Sequence, residues 1–339
     1  MDTKRPTNLI TIVRSERNSL SFAMLFVSIL FLGLHALGGN AYHLDNSCTD
    51  TQKDFLRQGF LNAFNMIQYA NLAWATPNPA QQQLKQWLFG PDDVVTRIRA
   101  GQTLGGLDRI AGYGELDTAA GIQRDDIRVY CNTDRLKFKA GVKPKFYDPD
   151  SQELLSITDT GGIMCSGSLA YAWVPTNPAM PSIIQICPWF LEYGMEKDPQ
   201  FQSRIEPGIV ARLALKLDEY ITGKWYTPID LFGLFDKVLV HEMTHTRAGM
   251  ETHDVNGFGG YGWKACRKLS TVREPVTSGI MGPERNADTF ALFVSACNLQ
   301  SRGAMVQENG TFTLPPATKA KARRAMAPNP SALRARRPF

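Results

Sequence analysis

The plainest chemistry lies in five consecutive residues, His241-Glu242-Met243-Thr244-His245. On a helix, positions i and i+4 stack on one face, so both imidazoles can bind one metal ion. Glu242 then lies beside the metal's open position without ligating it, where it can take a proton from a polarised water. The alternative is two surface histidines with a salt-bridging Glu. The apolar run Val238-Leu239-Val240 just before the motif argues instead for a buried helix and a dry site.

A catalytic zinc takes three protein ligands and keeps one position for water. An extended His-Gly-His pattern would want Gly at 248 and His at 251, where Ala248 and Glu251 stand. Asp254, nine residues after His245, is the better third ligand. It follows a turn signalled by Gly249 and precedes the Gly-rich stretch 255–262. Glu284 and Asp288 are further carboxylates near the next helix. Asp254 read alone is a turn or cap residue. A purely structural metal site would need a fourth protein ligand, such as His253.

His241-Glu242-x-x-His245, then Asp254, then Asn286-Ala287-Asp288-Thr289-Phe290 resembles the deuterolysin or aspzincin family of secreted zinc metalloendopeptidases. That family includes fungal lysine-specific enzymes. Ile183 to Phe190, Thr252 and the start at Cys48 also match its pattern. The resemblance runs over roughly 45–300 and is strongest in 238–298. It implies an α+β, zincin-like metalloprotease domain, mainly helical with a small antiparallel-rich sheet. It implies His241, His245 and Asp254 as ligands of one zinc ion, Glu242 as general base, and Asp288 as acceptor of a hydrogen bond from a ligand histidine. The family's Tyr stands three residues after the third ligand, where this chain has Gly257. Tyr261 comes four residues later and would donate to the oxyanion if an insertion is accommodated. Ala291 stands where lysine-specific members carry an acid, so lysine specificity is not expected. Protein or peptide substrates follow; the oligomeric state is open, with a monomer as the default. The alternative is a catalytically inactive zinc-binding protein on the same fold.

Several elements must position these residues. The spacing of Phe55, Leu56, Phe60, Ala63, Phe64, Ile67 and Ala70 predicts an amphipathic helix over 50–75. Residues 76–125 give no clear pattern. Short strands are expected at 127–131, 169–174 and 183–187, the last two as a hairpin across Pro175-Thr176-Asn177-Pro178. A helix is expected over 207–222, and another from Thr227-Pro228 through the motif, with Thr as cap and Pro at its first position. A third covers 285–300.

No Lys, Arg, Asp or Glu occurs between Arg17 and Asp45, and 22–37 is almost wholly apolar. A basic leader before such a run reads as a secretory signal over 1–41, with cleavage in 36–42, or as an uncleaved signal anchor. The catalytic domain would span 42–311. The body then faces an oxidising compartment, where the six cysteines favour disulfides. Neighbour pairing gives Cys165–Cys187 and Cys266–Cys297, with Cys48–Cys131 by elimination. Asn309-Gly310-Thr311 is a glycosylation sequon. The net charge of +5 sits in the ends. Residues 312–339 hold seven Lys or Arg and no acid, and read as a disordered basic tail. The remaining body is mildly acidic, which argues against a nucleic-acid partner. No membrane partner is expected unless the leader stays as an anchor.

Overall fold

Thr49 opens the first long helix. Its hydroxyl accepts from Gln52 N while Gln52 Oε1 accepts from Thr49 N, so two otherwise orphaned N–H groups are satisfied reciprocally. The helix, α1 (Asp50–Ala75), follows strand β1 (Tyr42–Leu44) and buries the apolar face that the spacing predicts. Two further helices occupy the stretch without a clear pattern: α2 (Pro79–Phe89), capped by Asn78 with Pro at its first position, and α3 (Val94–Tyr113), capped by Asp93. The computed structural model describes residues 41–141, 145–156, 165, 168–196, 227–272, 274–276 and 279–314. All of them lie in the unit beginning at Asn40. The proposed signal, the helix expected over 207–222 and the tail from 315 lie outside the described residues.

Six strands follow: β2 (Ile127–Tyr130), β3 (Lys137–Lys139), β4 (Lys145–Asp148), β5 (Glu153–Ser156), β6 (Ala170–Trp173) and β7 (Ser182–Ile186). A four-stranded sheet has the order β1-β2-β7-β6. Its first two pairings are parallel, and β6 lies antiparallel to β7 at the edge. The hairpin expected there is present, with Ala172 opposite Ile184. A separate antiparallel sheet joins β3, β4 and β5. The fold is α+β, mainly helical with small sheets.

After α4 (Pro188–Glu196), the described chain resumes at Thr227 with a single turn, α5 (Pro228–Leu231), and then α6 (Leu234–His245). The sequence reads as one helix here. The chain breaks at Gly233, whose φ of +56° is a left-handed conformation that glycine adopts without a side-chain clash. The continuous apolar run Leu231-Phe232-Gly233-Leu234 hides that break from periodicity. The rest comprises α7 (Trp263–Thr271), β8 (Glu274–Val276), β9 (Gly279–Met281), α8 (Ala287–Ser301), β10 (Met305–Val306) and β11 (Phe312–Thr313). α6 packs against α1, α8 and β6. Leu239, Val240 and Met243 are fully buried, each contributing about 1.5–3 kcal/mol.

Two expected disulfides are present. Cys48–Cys131 ties the start of α1 to the end of β2, and Cys165–Cys187 tethers the end of β7. The first closes 83 residues and by loop entropy stabilises the fold by roughly 4–5 kcal/mol. The third pairing is corrected: Cys266 and Cys297 are free and buried. Cys266 Sγ lies 3.8 Å from Asp288 Oδ2, in the first turn of α8. Cys297 sits nine residues further along that helix, about 13 Å away at 1.5 Å per residue.

Candidate metal centre

α6 carries His241 and His245 one turn apart, and their Nε2 atoms approach to 3.2 Å. The helix stops at His245 because Thr246 turns away, its hydroxyl donating to Met243 O at 2.6 Å. The chain then folds back. Thr252 N donates to Thr244 O, and the Thr252 hydroxyl donates to Thr244 Oγ1 at 2.7 Å. Next, His253 N donates to Arg285 O and Ala287 N donates to His253 O. This short bridge fastens the loop to the start of α8 and sets Asp254 over the two imidazoles.

Asp254 Oδ1 lies 3.1 Å from His241 Nε2 and 3.4 Å from His245 Nε2. This oxygen is itself shielded from solvent and has no donor while both rings are neutral. The second ring nitrogens explain why. His245 Nδ1 lies 2.8 Å from Thr252 O, a carbonyl that can only accept, so Nδ1 carries the proton of the neutral ring. His241 Nδ1 faces Asp288 Oδ1 at 3.5 Å. Both Nε2 lone pairs therefore point at each other and at a carboxylate oxygen. Three acceptors at 3.1–3.4 Å repel unless a proton or a metal ion sits among them. A tetrahedral metal bound at about 2.0 Å separates its ligands by about 3.3 Å, which fits this triangle.

The sequence-derived residues are therefore brought together. His241, His245 and Asp254 form a group whose ligand atoms lie within 4.8 Å of one another. Glu242 is buried beside them. Burial pushes its carboxyl above the usual range, opposed by the two histidines. Tyr261 also borders the site. Its ring stacks on His241, centroids 5.4 Å apart and 18° from parallel, and its hydroxyl bonds Asp254. The extra residues before it are taken up by a tight turn over Gly257–Gly260. Gly260 has no room for a side chain there, since a Cβ would meet Val255 O at 1.9 Å. Asp288 accepts from Gly262 N at 2.5 Å as well as facing His241. His253 does not join the ligand group. Glu284 is buried outside it.

Sequence reasoning gave no role to Lys237 or Asn286. Lys237, one turn before His241, is 6% exposed, and a lysine inside a buried helix was the available signal. Asn286 is buried and donates to Gly260 O while accepting from Val255 N.

No family model matches the chain, and no curated protein matches it. Among solved structures, a zinc peptidase from Grifola frondosa aligns over 73% of this chain and 96% of its own length, at 12% identity and a TM-score of 0.36. That superposition is too loose to transfer residue roles, which rest on the site's own geometry.

The metal-free site has a pH signature. Burial disfavours charge on His241 and His245, but Asp254 beside them outweighs it and raises both above the usual 6.5. Folding thus takes up protons. The stability they contribute is full below the unfolded histidine value and is lost as pH rises through the folded values. Glu242, raised by burial, acts with the same sign from above 4.5. Asp254 is held low and acts only below about pH 4. Metal-free protein is expected to lose Tm as pH rises above the ordinary histidine value of 6.5. Zinc requires bare imidazoles, so its addition should restore more Tm at pH 8 than at pH 6. Calorimetry at both pH values checks this, and an equal or larger gain at pH 6 would contradict it.

Proposed function

We propose that the chain is a secreted, zinc-dependent endopeptidase with a zincin-type active site. The observation that carries this reading is the triangle of two imidazole nitrogens and one carboxylate oxygen at 3.1–3.4 Å, with buried Glu242 adjoining it. A two-histidine, one-carboxylate set also suits iron(II). The helical i, i+4 spacing with Glu242 next to the first histidine favours hydrolytic zinc. Zinc bound there would polarise the scissile carbonyl and acidify water.

The chain's own residues supply the remainder. Glu242 accepts the proton of the attacking water and returns it to the leaving amine. Tyr261 donates its hydroxyl to the developing oxyanion, exchanging its bond to Asp254 for one to substrate. Asp288 and Thr252 O hold the two imidazoles in the tautomer that leaves Nε2 bare. β6 is an edge strand beside α6, so an extended peptide can pair with it through main-chain hydrogen bonds.

The test is metal analysis of the secreted protein together with casein cleavage, with and without a chelator. About one zinc per chain and chelator-sensitive cleavage are expected. Zinc without cleavage, after activation by limited proteolysis has been tried, refutes the peptidase and leaves a zinc-binding protein. Iron in place of zinc refutes the metal assignment.

A further inference from the structure

Asn309-Gly310-Thr311 is the chain's single Asn-x-Ser/Thr triplet without proline at its centre, since Asn329-Pro330-Ser331 has one. It forms the tip of the β10–β11 hairpin, where Gln307 N donates to Thr311 O and Gly310 N to Gln307 O. The tip is held firmly. Ile229 N donates to Gly310 O at 3.1 Å, and Trp263 Nε1 donates to Glu308 O at 2.8 Å. Asn309 itself is exposed. Its Oδ1 accepts twice, from Thr311 N at 3.0 Å and Thr311 Oγ1 at 2.7 Å. The oxygen edge of the planar amide thus faces inward, and the NH2 end is left to solvent.

We propose that Asn309 is an N-glycosylation site, modified from a lipid-linked oligosaccharide diphosphate in an oxidising lumen, the setting that the two disulfides fit. In the transfer, Nδ2 attacks the anomeric carbon and a C–N bond forms. The C–O bond to the diphosphate breaks, the lipid diphosphate leaves with the electron pair, and the amide gives up one proton to the transferase. Oδ1 is untouched, so both Thr311 hydrogen bonds survive and the hairpin needs no rearrangement. The glycan stands on a fixed protrusion and covers the exposed tip.

The full chain is produced in a eukaryotic secretory host, and its intact mass is read before and after peptide-N-glycosidase. Wild type and Asn329→Gln are expected to carry one glycan, whose release leaves aspartate at 309. Asn309→Gln and Thr311→Ala should carry none, and Thr311→Ser should keep a fraction. An unglycosylated wild-type chain, in any cell fraction or in the medium, overturns the proposal. So does a glycan that persists in Asn309→Gln.

Asn286 carries a second inference by a different route. One buried amide spans the loop that bears two site residues: Oδ1 accepts from Val255 N and Nδ2 donates to Gly260 O, both at 3.1 Å. Val255 follows Asp254 and Gly260 precedes Tyr261. Resting on the peptidase reading, we infer that Asn286 is a positioning residue that sets Tyr261 against Asp254. Asn286→Asp keeps the acceptor and loses the donor to Gly260 O. Its kcat should fall about tenfold, in the range for a group supporting the ligands, with KM and zinc content unchanged. In a Tyr261→Phe background the same change should cost little, because both act on one bond. Costs that multiply overturn the inference. The visible spectrum of cobalt(II)-substituted protein, read without substrate, should also shift in Asn286→Asp, and an unchanged spectrum overturns it whether or not the wild type cuts peptides.

Discussion

Glu242→Ala protein is expected to bind zinc as wild type does and to lose about 10²–10⁴-fold in kcat/KM, the range for removing a positioned general base. The loss corresponds to about 3–5 kcal/mol of transition-state stabilisation. Glu242 follows His241 directly on α6, so its side chain is rotated about 100° from the ligand face. It is 6% exposed and stands outside the group of ligand atoms. Removing it therefore takes away a proton acceptor without opening the metal triangle. Glu242→Gln keeps the volume and should fall as far, which separates the missing base from a cavity. Side-by-side zinc analysis and peptide hydrolysis check this. Proteolysis retained in either variant refutes the general-base role, and zinc lost from both would make Glu242 a ligand.

The part of the site that was legible in the sequence is the part whose geometry one helix enforces. His241 and His245 must share a face at a spacing of four, whatever packs around them. Asp254 was legible because a glycine-marked turn limits how far nine residues can travel. Tyr261 was harder, since its spacing suits the site only when Gly257–Gly260 fold into a tight turn, a local conformation that residue type suggests and does not dictate. The α6 start was misread because an apolar run has the same periodicity on both sides of Gly233. The Cys266–Cys297 pairing failed for a related reason. Nearness in sequence says nothing of distance along α8, where the first turn and the third are separated by the helix's own rise. Helices α2 and α3 were missed in a polar, Gly-rich stretch, although Asn78-Pro79 with Gln81, and Asp93 with Thr96, carry start signals.

Lys237→Met should cost about 3–5 kcal/mol of stability, the range for leaving buried charge unpaired. Lys237 is buried on α6 one turn before His241, and its ammonium donates to Asp230 O. Two buried carboxylates depend on its charge. Asp230 accepts from Thr227 N, from the Thr227 hydroxyl at 2.9 Å and from Trp263 N at 2.7 Å. Burial raises its carboxyl, and Lys237 is the chief opposing influence. Asp288 resists burial through its bond with His241 and the Lys237 charge, and stays below the usual range. Methionine fills the space of the lysine stem but removes a cation that acts on both. The folded carboxylates would then bind protons more readily than the unfolded ones, so stability should fall as pH rises through their values, and the deficit should shrink in acid. Adding Asp230→Asn removes one orphaned charge and should recover part of the loss. Urea midpoints of the single and double variants at two pH values read both effects. A single variant within about 0.5 kcal/mol of wild type, the ordinary surface range, would mean that the carboxylates need no counter-charge. The lysine that interrupts the apolar pattern of α6 would then be a tolerated anomaly and not the support on which Asp288, and through it His241, depends.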